Sequence, residues 1–299
     1  MSDFETIRFD VDRGIATITL ARPERMNTMN ATMTLELIRA LDTADADDDV
    51  RVVIVTGEGG RAFCAGADIS GGAETFDYSR RDAAVRAEAE RGGTYRDSGG
   101  RVALRIFNAL KPVIGAINGA AVGAGATISL AMDVRLAAEP ARFGFPFVRR
   151  GIVPESASSW FLPRIVGIST ALEWTLSGRL VGAAEAKERG LVRSVHAPDE
   201  LLPAARALAA EIVENAAPVS VALTRQMMWR MLGSDHPMDA HRLDSRLVQA
   251  LGSSADAREG VGAFLEKRPA RFEGRVSADM PPAFPWWTEP EFQDQKSER

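Results

Sequence analysis

Lys111-Pro112-Val113-Ile114-Gly115-Ala116-Ile117-Asn118-Gly119-Ala120-Ala121-Val122-Gly123-Ala124-Gly125 is the stretch whose reading decides the fold. The residue before a proline is pushed out of the α region, so a helix over Val102 to Leu110 ends at Lys111-Pro112. The apolar run Val113 to Ile117 then reads as a buried strand, Asn118-Gly119 as a turn, and a helix begins near Gly123. Unpaired amides at a helix start favour negative charge. The uncharged run from Val113 to Met132 has the length of a membrane span, but Gly119, Gly123 and Gly125 weaken a single helix through it. A strand, a turn and a buried helix are expected instead. A phosphate-binding loop would end in Gly-Lys-Ser/Thr, which is absent, and a dinucleotide fingerprint would order its glycine gaps differently.

Upstream, Thr6 to Phe9 and Ile15 to Leu20 read as strands joined by the Asp12-Arg13-Gly14 turn. Met33 to Asp45 has helical spacing, with Leu37, Ile38 and Leu41 on one face. Val50 to Thr56 is a β-branched run closed by Gly57, a buried strand. After it comes Arg61-Ala62-Phe63-Cys64-Ala65-Gly66-Ala67-Asp68-Ile69, whose small residues let a ligand approach the backbone. Residues 71–100 turn charged and glycine-rich, with a helix expected around Arg80 to Arg91; this is either a solvated insertion or a wall over a pocket. Downstream, Asp133 to Ala137 begins another strand. The chain then becomes helical over Trp160 to Val166, Thr170 to Ser177, Ala183 to Arg189, Leu201 to Asn215, Val219 to Met231 and Ala255 to Lys267. Strands alternating with helices, followed by a helical third, give an α/β core (1–200) with a helical appendage (201–270). The tail 271–299 is irregular, and its Trp286 and Trp287 suggest packing against a surface such as another subunit.

Composition narrows the partners. Hydrophobic residues at 45% and charged residues at 26% are ordinary globular values. A net charge of −5, from 36 basic and 41 acidic residues, is no field for a nucleic acid. One cysteine allows no internal disulfide, and with an acidic N-terminus lacking a signal-peptide pattern a cytoplasmic location is expected. The three histidines have neither metal-ligand spacing nor a pairing with Cys64, so neither a metal site nor a thiol nucleophile is expected.

Phe63-Cys64-Ala65-Gly66-Ala67-Asp68-Ile69, followed by Lys-Pro-Val-Ile, Asn-Gly and Gly-x-Gly, resembles the paired motif of the crotonase (enoyl-CoA hydratase/isomerase) family. Phe143-Gly144-Phe145-Pro146 and Gly151-Ile152-Val153-Pro154 stand where that family has its active-site strand and turn, and the likeness runs from about Ile7 to Arg268. The resemblance implies a spiral core of ββα units with a helical trimerisation region, and a homotrimer or dimer of trimers. It implies an acyl-CoA thioester as substrate, with no permanently bound cofactor. The amides of Ala67 and Ala124 would hold the thioester oxygen. Ala62, Phe63, Cys64 and Ala65 would lie along the coenzyme, Met26 near its pantetheine, and Phe264 and Lys267 would reach it from the C-terminal helix. The alternative for Lys267 is a solvated helix end.

The sequence departs from the hydratase pattern at both of its glutamates, which fall here on Thr127 and Phe147. Neither is a general base near neutral pH. Glu155, at the place of the single glutamate of the isomerase branch, is the remaining candidate acid/base. Its alternative role is to cap the helix entering at Ser156. Phe145, Phe147, Trp160 and Phe161 would wall it and raise its proton affinity, and Thr127, Phe147 and Trp160 would line the substrate pocket. Asp68 is expected to hold its turn, while Glu74, Asp77, Asp82 and Glu88 could bring a second carboxylate from the insertion. The expected activity is enolate chemistry of the isomerase or hydratase type. The alternatives are a single-acid hydratase or hydrolase (water addition being lyase chemistry of fatty acid metabolism) and a silent acyl-CoA-binding homologue.

Overall fold

Six strands form the larger sheet, in the order β1 (Ile7–Asp12), β2 (Ile15–Leu20), β3 (Val52–Gly57), β5 (Val113–Ile117), β7 (Val134–Ala138) and β10 (Ser194–His196). The computed structural model describes residues 4–77 and 96–292. β1 and β2 make an antiparallel hairpin, and Arg13 and Gly14 both take positive φ at its two-residue turn, as the twist of paired strands favours. The other neighbours run parallel. Parallel strands are covered on both faces, and every residue of β3 and β5 is buried. Their alternating side chains feed two cores. Val53, Val55 and Ile117 join Ile18, Leu20 and the Met33, Leu37 and Leu41 face of α1 (Ala31–Ala46). Ile54, Ile114 and Leu136 meet Leu201, Ala205 and Ala209 of α7 (Leu201–Asn215) on the other side. The core thus continues past residue 200, because α7 covers one face of the sheet.

A second sheet has the order β4 (Ala62–Cys64), β6 (Ala120–Val122), β8 (Arg142–Gly144) and β9 (Leu180–Gly182), parallel except for β9. The apolar run read as strand, turn and helix is strand, turn, second strand and helix: β5 leaves the large sheet at Asn118, β6 enters the small one, and α3 (Ala124–Ser129) follows. A three-residue strand is too short for its periodicity to be read. Among the described residues no single helix is long and apolar enough to cross a membrane.

Helix α2 spans Ser98–Phe107, starting before the expected Val102 because Asp97 caps it. The helix expected around Arg80 to Arg91 lies outside the described residues. Then come α4 (Ser158–Val166), α5 (Ile168–Ser177), α6 (Ala183–Glu188), α8 (Pro218–Met231), α9 (Pro237–Gly252) and α10 (Ala255–Glu266). Of these, α9 had no counterpart in the sequence reading. The tail packs on a surface of its own chain: Phe284 and Trp286 lie against the cluster of Val219 and Leu223 of α8 with Leu243 and Leu247 of α9. Arg230 lies 3.3 Å from the Trp287 ring centre and pairs with Glu289 at 2.8 Å.

Asn118 locks the crossover between the sheets. Its side chain accepts from Gly57 N at 3.1 Å and donates to Gly57 O at 2.9 Å, and it also donates to Gly59 O. Asn118→Ala leaves these backbone groups without that partner, and an unsatisfied buried group costs about 1–3 kcal/mol. Urea unfolding is expected to show a lower midpoint at an unchanged slope.

Candidate functional site

The site begins where the ends of β4 and β6 meet. Gly66 has φ of +104°, a conformation that L side chains rarely adopt, and a Cβ there would stand 2.9 Å from Val122 O. Gly125 lies so close to β4 that a methyl group would overlap Cys64 O. This tight contact places Ala67 and Ala124 on one cavity wall. Ala67 pairs with Met29 in a parallel bridge made through Gly66 O and Asp68 N, at 2.8 and 2.9 Å. That pattern turns the N–H of Ala67 to the opposite side. Ala124 is the first residue of α3, where a helical amide has no partner within its helix. The Asp68 carboxylate is held by Arg22 at 2.9 Å and by Ser70 N at 3.1 Å, and so fixes this turn as expected from the sequence. These bonds lower its pKa, those from Ser70 and Arg22 leading.

The cavity, of about 830 Å³, is lined by Met26, Ala65, Ala67, Ala124, Phe147 and Glu155 among others. Glu155 does not cap a helix: α4 starts at Ser158, with Ala157 as its N-cap and no side-chain cap bond. Ser156 and Ala157 both take left-handed backbone, with φ of 60° and 52°, uncommon for residues other than glycine. This kink directs the carboxyl group inward. Thr127 Oγ1 lies 2.8 Å from Glu155 Oε1, close enough to donate to it. Burial, then a hydrogen bond with Asp97 and the negative charge of Asp97, push the Glu155 pKa up to about 8, while bonds from Ser156 and Thr127 pull it down. Burial also lifts the Cys64 thiol to about 11, which leaves it inert at neutral pH.

Several expected positions fall elsewhere. Thr127 is fully buried behind Glu155 and does not line the cavity, since α3 turns its side chain toward Ser156. Trp160 is not on the wall either; with Phe107, Phe161 and Trp229 it forms a partly buried aromatic cluster packed against the core. Phe145 stacks on Trp174, and Phe147 lines the cavity together with Phe76. Ala62, Phe63 and Cys64 are buried in β4, and only Ala65 of that segment reaches the cavity. Phe264, 81% exposed, and Lys267, the left-handed C-cap of α10, do not line it within the single chain. Of the acids suggested from the insertion, Glu74 and Asp77 do not line the cavity, and Asp82 and Glu88 lie outside the described residues. The carboxylate that stands against Glu155 is Asp97, which the sequence reading missed. The Asp97-Ser98-Gly99-Gly100 run, a cap residue ahead of small ones, was the available signal.

The family model described as enoyl-CoA hydratase/isomerase matches residues 10–275. An enoyl-CoA hydratase of Alternaria alternata is 42% identical over 261 residues, covering 87% of this chain and 83% of that protein. The 1,2-epoxyphenylacetyl-CoA isomerase of Escherichia coli is 34% identical over 273 residues, covering 91% and 99%. The crystal structure of an enoyl-CoA hydratase from Bacillus anthracis superposes with a TM-score of 0.80 at 29% identity, covering 91% of this chain and 100% of that one. The chain belongs to the enoyl-CoA hydratase/isomerase family and has its fold. Its relatives include both hydratases and an isomerase, so membership alone leaves the reaction open.

Gly99 gives a test of the site's geometry. A methyl group there would overlap Glu155 Oε2 and Ser156 Oγ. Alanine favours a helix over glycine, so Gly99→Ala is expected to leave the circular dichroism spectrum intact. Displacing Glu155 by about 1 Å is expected to lower turnover of an enoyl-CoA about hundredfold.

Proposed function

We propose that the chain is an acyl-CoA enzyme in which Glu155 moves a proton beside the thioester, in the manner of an enoyl-CoA isomerase. The observation that carries this reading is one acid of raised proton affinity on the same cavity as the Ala67 and Ala124 amides. In the proposed reaction the Glu155 carboxylate takes a proton from C2 of a 3-enoyl-CoA. The C2–H electron pair passes into the thioester, giving a dienolate whose oxygen accepts hydrogen bonds from both amides. Donors aimed at a developing oxyanion each contribute about 3–4 kcal/mol of transition-state stabilisation. Glu155 then returns the proton at C4, which moves the double bond into conjugation and restores the carboxylate. Phe147 and Thr127 stand where the hydratase branch has its two glutamates, so a single acid serves both transfers.

The hydratase names among the relatives support a second reading, in which Glu155 acts on an ordered water and crotonyl-CoA is hydrated slowly. The exposed apolar face of α10, with Val261, Phe264 and Leu265, supports assembly with further copies. In such an assembly Phe264 and Lys267 would meet the coenzyme bound to a neighbouring subunit.

Glu155→Gln separates catalysis from folding. Positioned acid–base catalysis is worth about 10²–10⁴ in rate, and isomerase turnover is expected to fall by that much with acyl-CoA binding kept. Stability should move the other way. The folded state holds the Glu155 proton up to about pH 8, while an unfolded glutamate releases it near its ordinary 4.5. The native state therefore binds more protons between these values, and stability declines as pH rises through the window. The melting temperature of Glu155→Gln is expected to exceed that of the wild type at pH 8, with the difference closing below pH 4.5. Turnover within about twofold of wild type removes Glu155 from the mechanism, since so small a change is far below the range for a lost acid or base.

A further inference from the structure

Asp97 packs against Glu155 from the side away from the cavity. Asp97 does not line the cavity. It sits at the entry of α2, where its Oδ1 accepts from Gly100 N at 2.5 Å and from Ser156 N at 3.3 Å. The second of these bonds ties it to the left-handed kink that aims Glu155. The two carboxyl groups are in hydrogen-bond contact. Gly99 allows that approach, since any side chain there would occupy the place of Glu155 Oε2 and Ser156 Oγ.

We propose that Asp97 is a positioning residue that pairs with Glu155 as a one-proton carboxyl dyad, holding the acid in its reactive orientation and setting the pH at which it works. Two carboxylates side by side repel when both are ionised, so the charge of Asp97 makes Glu155 keep its proton to higher pH. Asp97 stands off the cavity that Glu155 lines. Thr127 and Ser156 supply neutral hydrogen bonds to the same glutamate, and burial raises its proton affinity further. Other charged or titratable groups around the cavity are Glu24, Arg25, Arg150, Asp68 with its partner Arg22, and the buried Cys64 thiol. Among the described residues, Asp97 is the titratable group in hydrogen-bond contact with Glu155. The pairing gives this single-glutamate site a second carboxylate that never touches substrate. It rests on the reading of Glu155 as the acid/base only for its catalytic consequence; the shared proton stands apart from it.

Infrared titration of the full-length protein tests the pair without requiring turnover. The wild type is expected to show a protonated-carboxyl band that disappears with a midpoint near pH 8 and is absent from Glu155→Gln. In Asp97→Asn that midpoint is expected to fall by about one unit or more, a tenfold change in proton affinity. Asparagine caps a helix as well as aspartate does, so a purely structural role for Asp97 predicts no movement. Asp97→Ser also keeps the cap while removing the carboxylate, and serves if the asparagine variant folds poorly. The rising limb of kcat/KM with pH should move down by the same amount, with KM little changed, and Asp97→Glu should restore part of the wild-type midpoint. A midpoint in Asp97→Asn and Asp97→Ser within about 0.3 unit of wild type, a twofold change, overturns the dyad. If instead the midpoint moves while Glu155→Gln keeps full turnover, the dyad stands and the catalytic reading of Glu155 falls.

Discussion

Everything distinctive about this site depends on one close contact between backbones. Gly66 ends the β4 segment in a left-handed turn, and Gly125 opens α3 against Cys64 O with no room for a side chain. The two halves of the site come from opposite ends of a long stretch of chain, and this contact sets the Ala67 and Ala124 amides on a common wall. Backbone donors need no particular side chain, only small ones, so the proposed oxyanion site can be written in alanine and glycine. Asn118 serves the same junction from below by tying the end of β3 to the crossover between the sheets.

The second constraint is electrostatic. A glutamate held away from water beside another carboxyl group is costly in its ionised form. The fold bears that cost at one point, through the left-handed Ser156 and Ala157, the Thr127 hydroxyl and Asp97. An acid tuned toward neutral pH can both accept and return a proton, as an allylic shift requires, whereas an ordinary surface glutamate is too weak a base to do so. In the proposed reaction, function and stability oppose each other at Glu155, and proton linkage gives the sign of that opposition.

Much of this was legible from the sequence, and the failures have physical reasons. The buried strands Val52–Gly57 and Val113–Ile117 announced themselves as apolar runs, and Leu201–Asn215 by its helical composition. β4 and β6 are three residues long and gave no periodicity. Thr127 was expected on the pocket wall from the family position it fills, and Trp160 as one of the aromatics around Glu155; packing instead buries Thr127 against Ser156 and sets Trp160 in a partly buried aromatic cluster. Asp97 was passed over because a cap residue before glycines looks like ordinary helix punctuation. Only the folded chain brings it across to Glu155, a separation no local pattern encodes.

A crystal structure with a non-reactive acyl-CoA thioester would show whether the two amides and Glu155 act on one bound thioester. The thioester oxygen is expected within hydrogen-bond reach of the Ala67 and Ala124 amides, about 2.7–3.1 Å, with the Glu155 carboxyl group the nearest acid to C2 and C4. A thioester oxygen bound away from those amides, or a different carboxylate nearest the reacting carbons, would contradict the proposed reaction.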